Sequence, residues 1–248
     1  MIKSEYKNMY DSENGYWWYI ALHRISEKFI LKLKKKERPE IFDAGCGTGR
    51  MLEILNKNAI VEGIDFEPEA VEYSKQRNLN SVSVCDLNLW KHSKFYDFII
   101  CHDVICHKSI LNDSLIIEEF FNSLNPGGYL IMNLPAFESI RREHDRAVFT
   151  ARRYNRNKTK EMLIKIGFKF KRSTYRLPFL YFLFFIKSKL ENKKSNNKID
   201  ESDLKPLPVL LNKIMILIMN IENFIISSGI SFPLGSSLFI VAQKPEDK

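Results

Sequence analysis

Three glycines in five positions, Gly45, Gly47 and Gly49, follow Asp43 within EIFDAGCGTGR at residues 40–50. Glycine inside an element costs roughly 0.5–1 kcal/mol relative to alanine, so such a cluster marks a backbone that must come close to another body. An apolar run before it and helical spacing after it describe a strand, a turn and a helix N-terminus, which together offer N–H groups to an anion or nucleotide. The dinucleotide pattern GxGxxG would require glycine where Arg50 stands, and no phosphate-loop lysine follows. Asp65 ends the next apolar run, and Asp86 follows the one after it. Farther along, CHDVICHK (101–108) and EHDRAVFTARRY (143–154) collect His102, Asp103, His107, His144, Asp145, Arg152, Arg153 and Tyr154. Histidines and carboxylates are common proton carriers in catalysis, and paired arginines suit phosphate or carboxylate.

These groups need elements to hold them. The apolar runs at 40–44, 59–65, 81–85, 96–101 and 128–134 predict buried strands, and the helical spacing at 50–58, 68–78 and 112–124 predicts helices between them. Pro68 suits a first helical turn, and NPGG at 125–128 predicts a turn after a helix. Such alternation implies a parallel sheet wound on both faces. A helix ending at Gly167, a strand at 169–176 and a final strand at 237–244 complete the order, with a long insertion at 177–235 before the last strand.

At this point FDAGCGTGR resembles the first motif of the class I S-adenosylmethionine-dependent methyltransferases. Asp65 after the second strand, VCDLN after the third, YDFIIC as the fourth and LNPGGYLIMNLP around the fifth are similar to that family in the same order. The resemblance implies an α/β fold: a doubly wound, seven-stranded, mostly parallel Rossmann-like sheet with a helical apolar insertion between the last two strands. It divides the chain into an N-terminal helical cap (1–39), a cofactor-binding domain (40–176 with 237–248) and the insertion (177–236). It also implies a cofactor, S-adenosylmethionine, leaving as S-adenosylhomocysteine. Gly45, Cys46, Gly47 and Gly49 would pass beneath its methionine part, Asp43 would sit near its ammonium, and Asp65 would hold the ribose hydroxyls. Phe66, Asp86 and Leu87 would meet adenine, and His102 completes the expected cofactor set.

The loop after the fifth strand resembles a bacterial methyltransferase subgroup often linked to cell-surface glycan pathways, with His-Asp and then Arg-Arg-Tyr before a helix. Thr150 stands where that subgroup commonly has another histidine. The resemblance makes His144, Asp145, His107 and Tyr154 the candidate catalytic residues and Arg152 and Arg153 the candidate acceptor ligands. CHDVICHK is similar to a stretch in quinone-pathway O-methyltransferases that can hold a metal, but Cys106 occupies an acidic position and no metal is expected. Trp17 and Trp18, in the first helix of that subgroup, would cover the cofactor or pack on the sheet.

The chain has 248 residues, 45% hydrophobic and 27% charged, with a net charge of +8. That excludes global disorder and leaves nucleic acid, a membrane surface or phosphorylated substrates open. The four cysteines show no zinc or disulfide spacing, the N-terminus lacks a signal peptide's apolar stretch, and no uninterrupted apolar run reaches the ~18–20 residues that span a bilayer. A cytoplasmic location is expected, peripheral to the inner face of the membrane if the insertion meets lipid. In the insertion, Asn212, Lys213, Asn220, Asn223 and Ser227 share one narrow helical face, with Glu222 outside it. The surplus apolar surface calls for a lipid-linked acceptor, a membrane surface or a homodimer. The expected reaction is methyl transfer to an oxygen or nitrogen of a cell-surface glycan or lipid-associated acceptor. The rivals are a small-metabolite O-methyltransferase with a dimerising insertion, an RNA methyltransferase, for which no aromatic-interleaved basic stripe is present, and a cofactor-binding module without catalysis.

Overall fold

The computed structural model describes residues 3–191 and 207–246. Helices α1 (Lys3–Ser12) and α2 (Trp17–Leu33) lead into strand β1 (Glu40–Ala44), followed by α3 (Arg50–Leu55), β2 (Ile60–Asp65), α4 (Pro68–Gln76) and β3 (Val82–Val84). The second half runs β4 (Tyr96–His102), α5 (Asp113–Ser123), β5 (Leu124–Pro135), α6 (Glu143–Ala147), α7 (Arg156–Ile166) and β6 (Lys169–Arg176). Helices α8 (Pro178–Glu191) and α9 (Val209–Ser227) then precede β7 (Ser237–Gln243). The strands form one seven-stranded sheet in the order β3-β2-β1-β4-β5-β7-β6. Strand β7 runs antiparallel to both β5 and β6, and the other pairs are parallel.

Local chemistry fixes the ends. Pro68 opens α4, Asn112 caps α5 by accepting from the Ser114 and Leu115 N–H groups, and Gly167 closes α7 at φ 119°. NPGG does not stand apart as a turn: Leu124 already pairs with Tyr96, and the register then slips so that Tyr129 meets Phe98. Gly127, at φ 78°, absorbs the irregularity inside β5.

The sheet separates two cores. On one face Phe42 stacks between Trp90 (4.4 Å) and Tyr96 (5.0 Å), with Ile117 and Phe120 of α5 beneath. On the other face Ile25 and Phe29 of α2, Leu52 of α3 and Ile226 of α9 meet Ile41, Ile100 and Phe239. Counting uninterrupted runs misjudged α9. An 18-residue window of it has mean hydropathy 1.7, long and apolar enough to cross a membrane, yet only 22% of that window is buried in the protein. Lys213, Glu222 and the asparagines interrupt the run without lowering its average far.

Candidate active site

The glycine turn after β1 and the carboxyl-end loops of β2, β4 and β5 open onto one cavity of about 390 Å³. Ligands of open α/β sheets bind at this edge. Gly45 adopts φ 81°, and a β-carbon there would lie 2.3 Å from Val104 Cγ2, so the turn presses against the loop after β4. Gly47, at φ 56°, faces Met9 of α1, whose sulfur would be 3.0 Å from an added β-carbon. The Asp65 carboxylate braces the turn: Oδ2 accepts from Gly47 N–H (2.9 Å) and Oδ1 from Glu67 N–H (3.0 Å). Asp86 holds Asn88 through its backbone N–H (2.9 Å) and side-chain amide (2.7 Å).

Helix α1 lies over this end of the cavity, contributing Tyr6 and Met9 to its wall. Buried Glu13 fastens it. Its carboxylate accepts from the Thr48 hydroxyl in the glycine turn and from Arg77 Nη2 (3.0 Å). Arg77 also donates from Nε to the Thr48 carbonyl (2.9 Å) and stacks on Tyr10, 4.3 Å from the ring centre. Burial nevertheless pushes the Glu13 carboxyl up to about 7. Sequence patterns conceal this cover, because KSEYKNMYDS is polar and its two cavity residues carry no motif.

Asp103 stands at the far end of β4 with φ 57°, a conformation that costs a non-glycine residue on the order of 1–3 kcal/mol. It lines the cavity, and its Oδ2 accepts from Asn133 Nδ2 at 2.8 Å. Burial pushes its carboxyl up to about 6, while Asn133 and the neighbouring Arg176 and Arg153 pull it down. His102, beside it, has Nε2 3.0 Å from Ser26 Oγ, and burial holds its ring down at about 3. His107 accepts the Ser109 N–H at Nδ1 (3.2 Å), so its neutral ring carries hydrogen on Nε2, which is buried with no protein partner. Burial lowers that ring to about 4.

Of the expected cofactor set, Gly45, Gly47, Asp65, Phe66, Asp86, Leu87 and His102 line the cavity, whereas Asp43, Cys46 and Gly49 stand behind its wall. Asp43 is 4% exposed, and its carboxyl is pushed up to about 8, chiefly by burial and then by Asp65 and Glu13. Among the expected catalytic residues, His144, Asp145 and His107 reach the cavity. Tyr154 does not: its hydroxyl donates to Asp113 Oδ2 (2.8 Å) behind the loop, with the Ile105 carbonyl 3.1 Å away sharing the same hydrogen. The arginine pair is likewise spent internally. Arg152 donates to the backbone carbonyls of Ile105 (3.2 Å) and Ile110 (2.7 Å), bracing the loop after β4. Arg153, on the cavity wall, forms a two-pronged pair with Asp145 (2.9 and 3.1 Å), so neither partner is open to an anionic acceptor.

Residues outside every expected set build the rest of the wall. Arg142 lies 3.7 Å over the Phe184 ring, and Leu180 and Phe184 bring the apolar face of α8 into the cavity. The pairing of Arg142 with an aromatic 42 positions downstream has no local sequence signal. Trp17 and Trp18 both line the cavity, and Trp17 is also part of the packing between α2 and α9.

The donor set fits a nucleoside joined to an amino acid. Phe66 offers a ring face that is 56% exposed, Asp65 offers an oriented carboxylate, and Asp43 is a buried acid that a nearby ammonium would return to its ionised form. Residues 35–174, more than half of the chain, match a family model described as a methyltransferase domain. Over 133 residues the chain is 26% identical to the ubiquinone biosynthesis O-methyltransferase of Hydrogenovibrio crunogenus, covering 47% of this chain and 54% of that protein. Over 148 residues it is 30% identical to a probable tRNA methyltransferase 9B of Homo sapiens, covering 58% and 32% respectively. The chain thus spans about half, or less, of the length of these relatives. It is also similar in structure to the plantazolicin methyltransferase BpumL in complex with S-adenosylhomocysteine, at a TM-score of 0.61 and 16% identity, covering 98% of this chain and 90% of that one. At that identity the likeness is one of fold.

Proposed function

We propose, on the premise that the chain belongs to the methyltransferase domain family and is an S-adenosylmethionine-dependent methyltransferase, that its acceptor is an oxygen or nitrogen of a lipid-associated or cell-surface glycan molecule. The cofactor supplies a methyl group already activated by its sulfonium. The protein's share is to position the acceptor, exclude water and, for a hydroxyl acceptor, take up the proton. Asp43 holds the amino-acid end of the cofactor from behind the glycine turn, and Asp65 the ribose.

Asp103 is the best-placed proton acceptor. It is a cavity-lining carboxylate tuned to about 6 and aimed by Asn133, so it is largely ionised at neutral pH and still basic enough to accept. His144 lines the same cavity as the second candidate. Asp145 and Arg153 hold the loop that carries His144, and His107 offers an Nε2–H donor rather than a base.

The observation carrying the acceptor class is the α8 wall. Leu177, just before α8, and Leu180 and Phe184 on it line the cavity, while the same helix leaves Phe182 and Leu183 exposed, so one helix carries apolar side chains both into the site and to the exterior. A charged metabolite gains nothing from that wall, whereas an acyl or prenyl chain does. The relative named for ubiquinone biosynthesis favours oxygen as the acceptor atom. The test incubates the enzyme and methyl-labelled S-adenosylmethionine with separate lipid, aqueous and RNA extracts of its source cells. Label entering the lipid fraction, and lost with Asp103→Asn at unchanged S-adenosylhomocysteine affinity, is the expected result. Label confined to the aqueous metabolites or the RNA overturns the acceptor class.

A further inference from the structure

Helix α9 is attached to the protein by two buried apolar residues, Met219 and Ile226, and by its polar groups. Asn212 accepts from the Trp17 N–H (3.0 Å) and donates to the Gly15 carbonyl (2.8 Å). Asn223 donates to the Ala21 carbonyl (2.8 Å), and Asn220 accepts from Arg24 (2.8 Å). Glu222, buried, accepts the Leu177 N–H at 2.9 Å. Apolar residues take the opposite side: Leu217 is 61% exposed, Ile221 54% and Phe224 65%. Helix α8 is apolar on both sides: Leu180 and Phe184 face the cavity, and a second apolar face is turned outward. Its buried position is Ser188, bonded to the Ser139 carbonyl, while Phe182, Leu183, Ile186 and Leu190 point outward. The two helices adjoin through Trp17, Ala21, Leu177 and Met219, against which Leu180 and Met215 pack.

Water is a poor solvent for such a surface, and an amphipathic helix docked largely by its polar face is the reverse of an ordinary surface helix. Cations rim it. Arg24, Lys28 and Lys32 follow one another at i,i+4 along α2, and Lys28 Nζ lies 5.6 Å from the Phe224 ring centre. Lys213 on α9 and Lys189 on α8 are exposed as well. We propose that the exposed apolar faces of α8 and α9 dock side-on into the surface of an anionic lipid bilayer. The helices lie in the headgroup plane, because the asparagine contacts hold α9 along the protein and prevent it from crossing. Apolar side chains enter the acyl boundary, and the lysines meet the headgroup phosphates.

Other covers fit less well. A second copy would bring the same lysine rim into a protein interface, where lysine is disfavoured. The stretch NKKSNNKIDESDLKP at 192–206 contains only Ile199 and Leu204 as aliphatic residues, too little apolar surface to cover both helices. The inference concerns where the enzyme works, and it stands whatever the acceptor proves to be.

The test is flotation of the full chain with vesicles of phosphatidylcholine alone and of an equimolar phosphatidylcholine–phosphatidylglycerol mixture. The variants are Leu217→Ser/Ile221→Ser/Phe224→Ser and Lys28→Glu/Lys213→Glu, with S-adenosylhomocysteine affinity as the measure of intact folding. Wild type should float with the mixed vesicles and lose binding as salt rises, since the headgroup attraction is screened. Both variants should bind those vesicles about tenfold less or weaker while keeping cofactor affinity, as expected for an interfacial helix deprived of apolar area or charge. Failure of wild type to float, or flotation of the triple-serine variant at the wild-type level, overturns the proposal. A dimer by light scattering that the serine variant dissociates, without vesicle binding, overturns it in favour of a second copy.

Discussion

If Asp43 holds the cofactor's ammonium as proposed, it couples proton and cofactor. Its carboxyl is held at about 8 by burial and by two neighbouring acids, so at neutral pH the cofactor-free protein keeps a proton there. Binding an ammonium beside it must expel that proton. S-adenosylhomocysteine affinity should therefore rise with pH, by at most about tenfold per unit, and level off above about pH 8. Calorimetry across that range, with Asp43→Asn flattening the slope, checks it. Asp65→Ala should weaken S-adenosylhomocysteine by about 1.5–3 kcal/mol, the worth of a hydrogen bond to a charged group, with secondary structure retained. Tyr154→Phe should behave differently. It removes the hydrogen shared between Asp113 and Ile105 behind the loop, so about 1 kcal/mol of stability should go while turnover stays near wild type. These roles differ in how far the chain betrays them. Asp65 and Phe66 sit at the end of an obvious strand, where topology alone carries them to the cavity. Tyr154 and Arg152 have types that suit catalysis, but whether their polar tips face the cavity or the backbone behind it depends on partners far away in sequence, Asp113 and the carbonyls of 105–111.

At the scale of elements, most of the sheet is legible because its central strands are nearly continuous apolar runs bounded by glycine, proline and acidic residues, whereas β6, KFKRSTYR, is half Lys and Arg. The β5 start escapes that logic: NPGG has turn chemistry, yet cross-strand pairing of Leu124 with Tyr96 draws it into the strand. Helix α9 shows the limit more sharply. Its wheel displays an asparagine stripe opposite a wide apolar arc, and nothing local says which of the two faces the protein. The deciding groups are the Gly15 carbonyl and the Trp17 N–H at the start of α2, which need the partners Asn212 supplies, with Asn223 adding a bond to the Ala21 carbonyl. Asn223→Leu, though more apolar, should cost the protein about 0.5–1.5 kcal/mol, the net worth of the bond it loses to the Ala21 carbonyl; urea unfolding measures it. Asn223→Gln should lose less.

For the whole molecule, the buried acids gather around the cavity, and their sum sets a pH signature. Glu13 is raised to about 7 and Asp43 to about 8, so the stability tied to their protonated forms is complete below the ordinary carboxylate range and is lost as pH rises through those values. His23 and His102, both held down at about 3, act in the opposite sense but only below about 6.5. Between pH 6.5 and 8 the carboxyls act alone. The cofactor-free protein should therefore melt at a higher temperature at pH 6.5 than at pH 8, and saturating S-adenosylhomocysteine should narrow the gap by giving Asp43 a cation. Differential scanning calorimetry at the two pH values reads both effects.

The strand order has one more consequence, in the time domain. Strand β6 pairs along its length with β7, with a single further bridge from Tyr175 to Phe232, and β7, the seventh strand, fills the place between β6 and β5. During synthesis, at roughly 5–20 residues per second, β6 therefore emerges and waits without a ladder partner while the apolar α8 and α9 follow it out. For several seconds the ribosome displays an unpaired strand edge next to the most water-averse stretch of the chain. A nascent chain stalled before Ser237 should present both to chaperones and membranes, and the emergence of β7 should withdraw the edge in a single step.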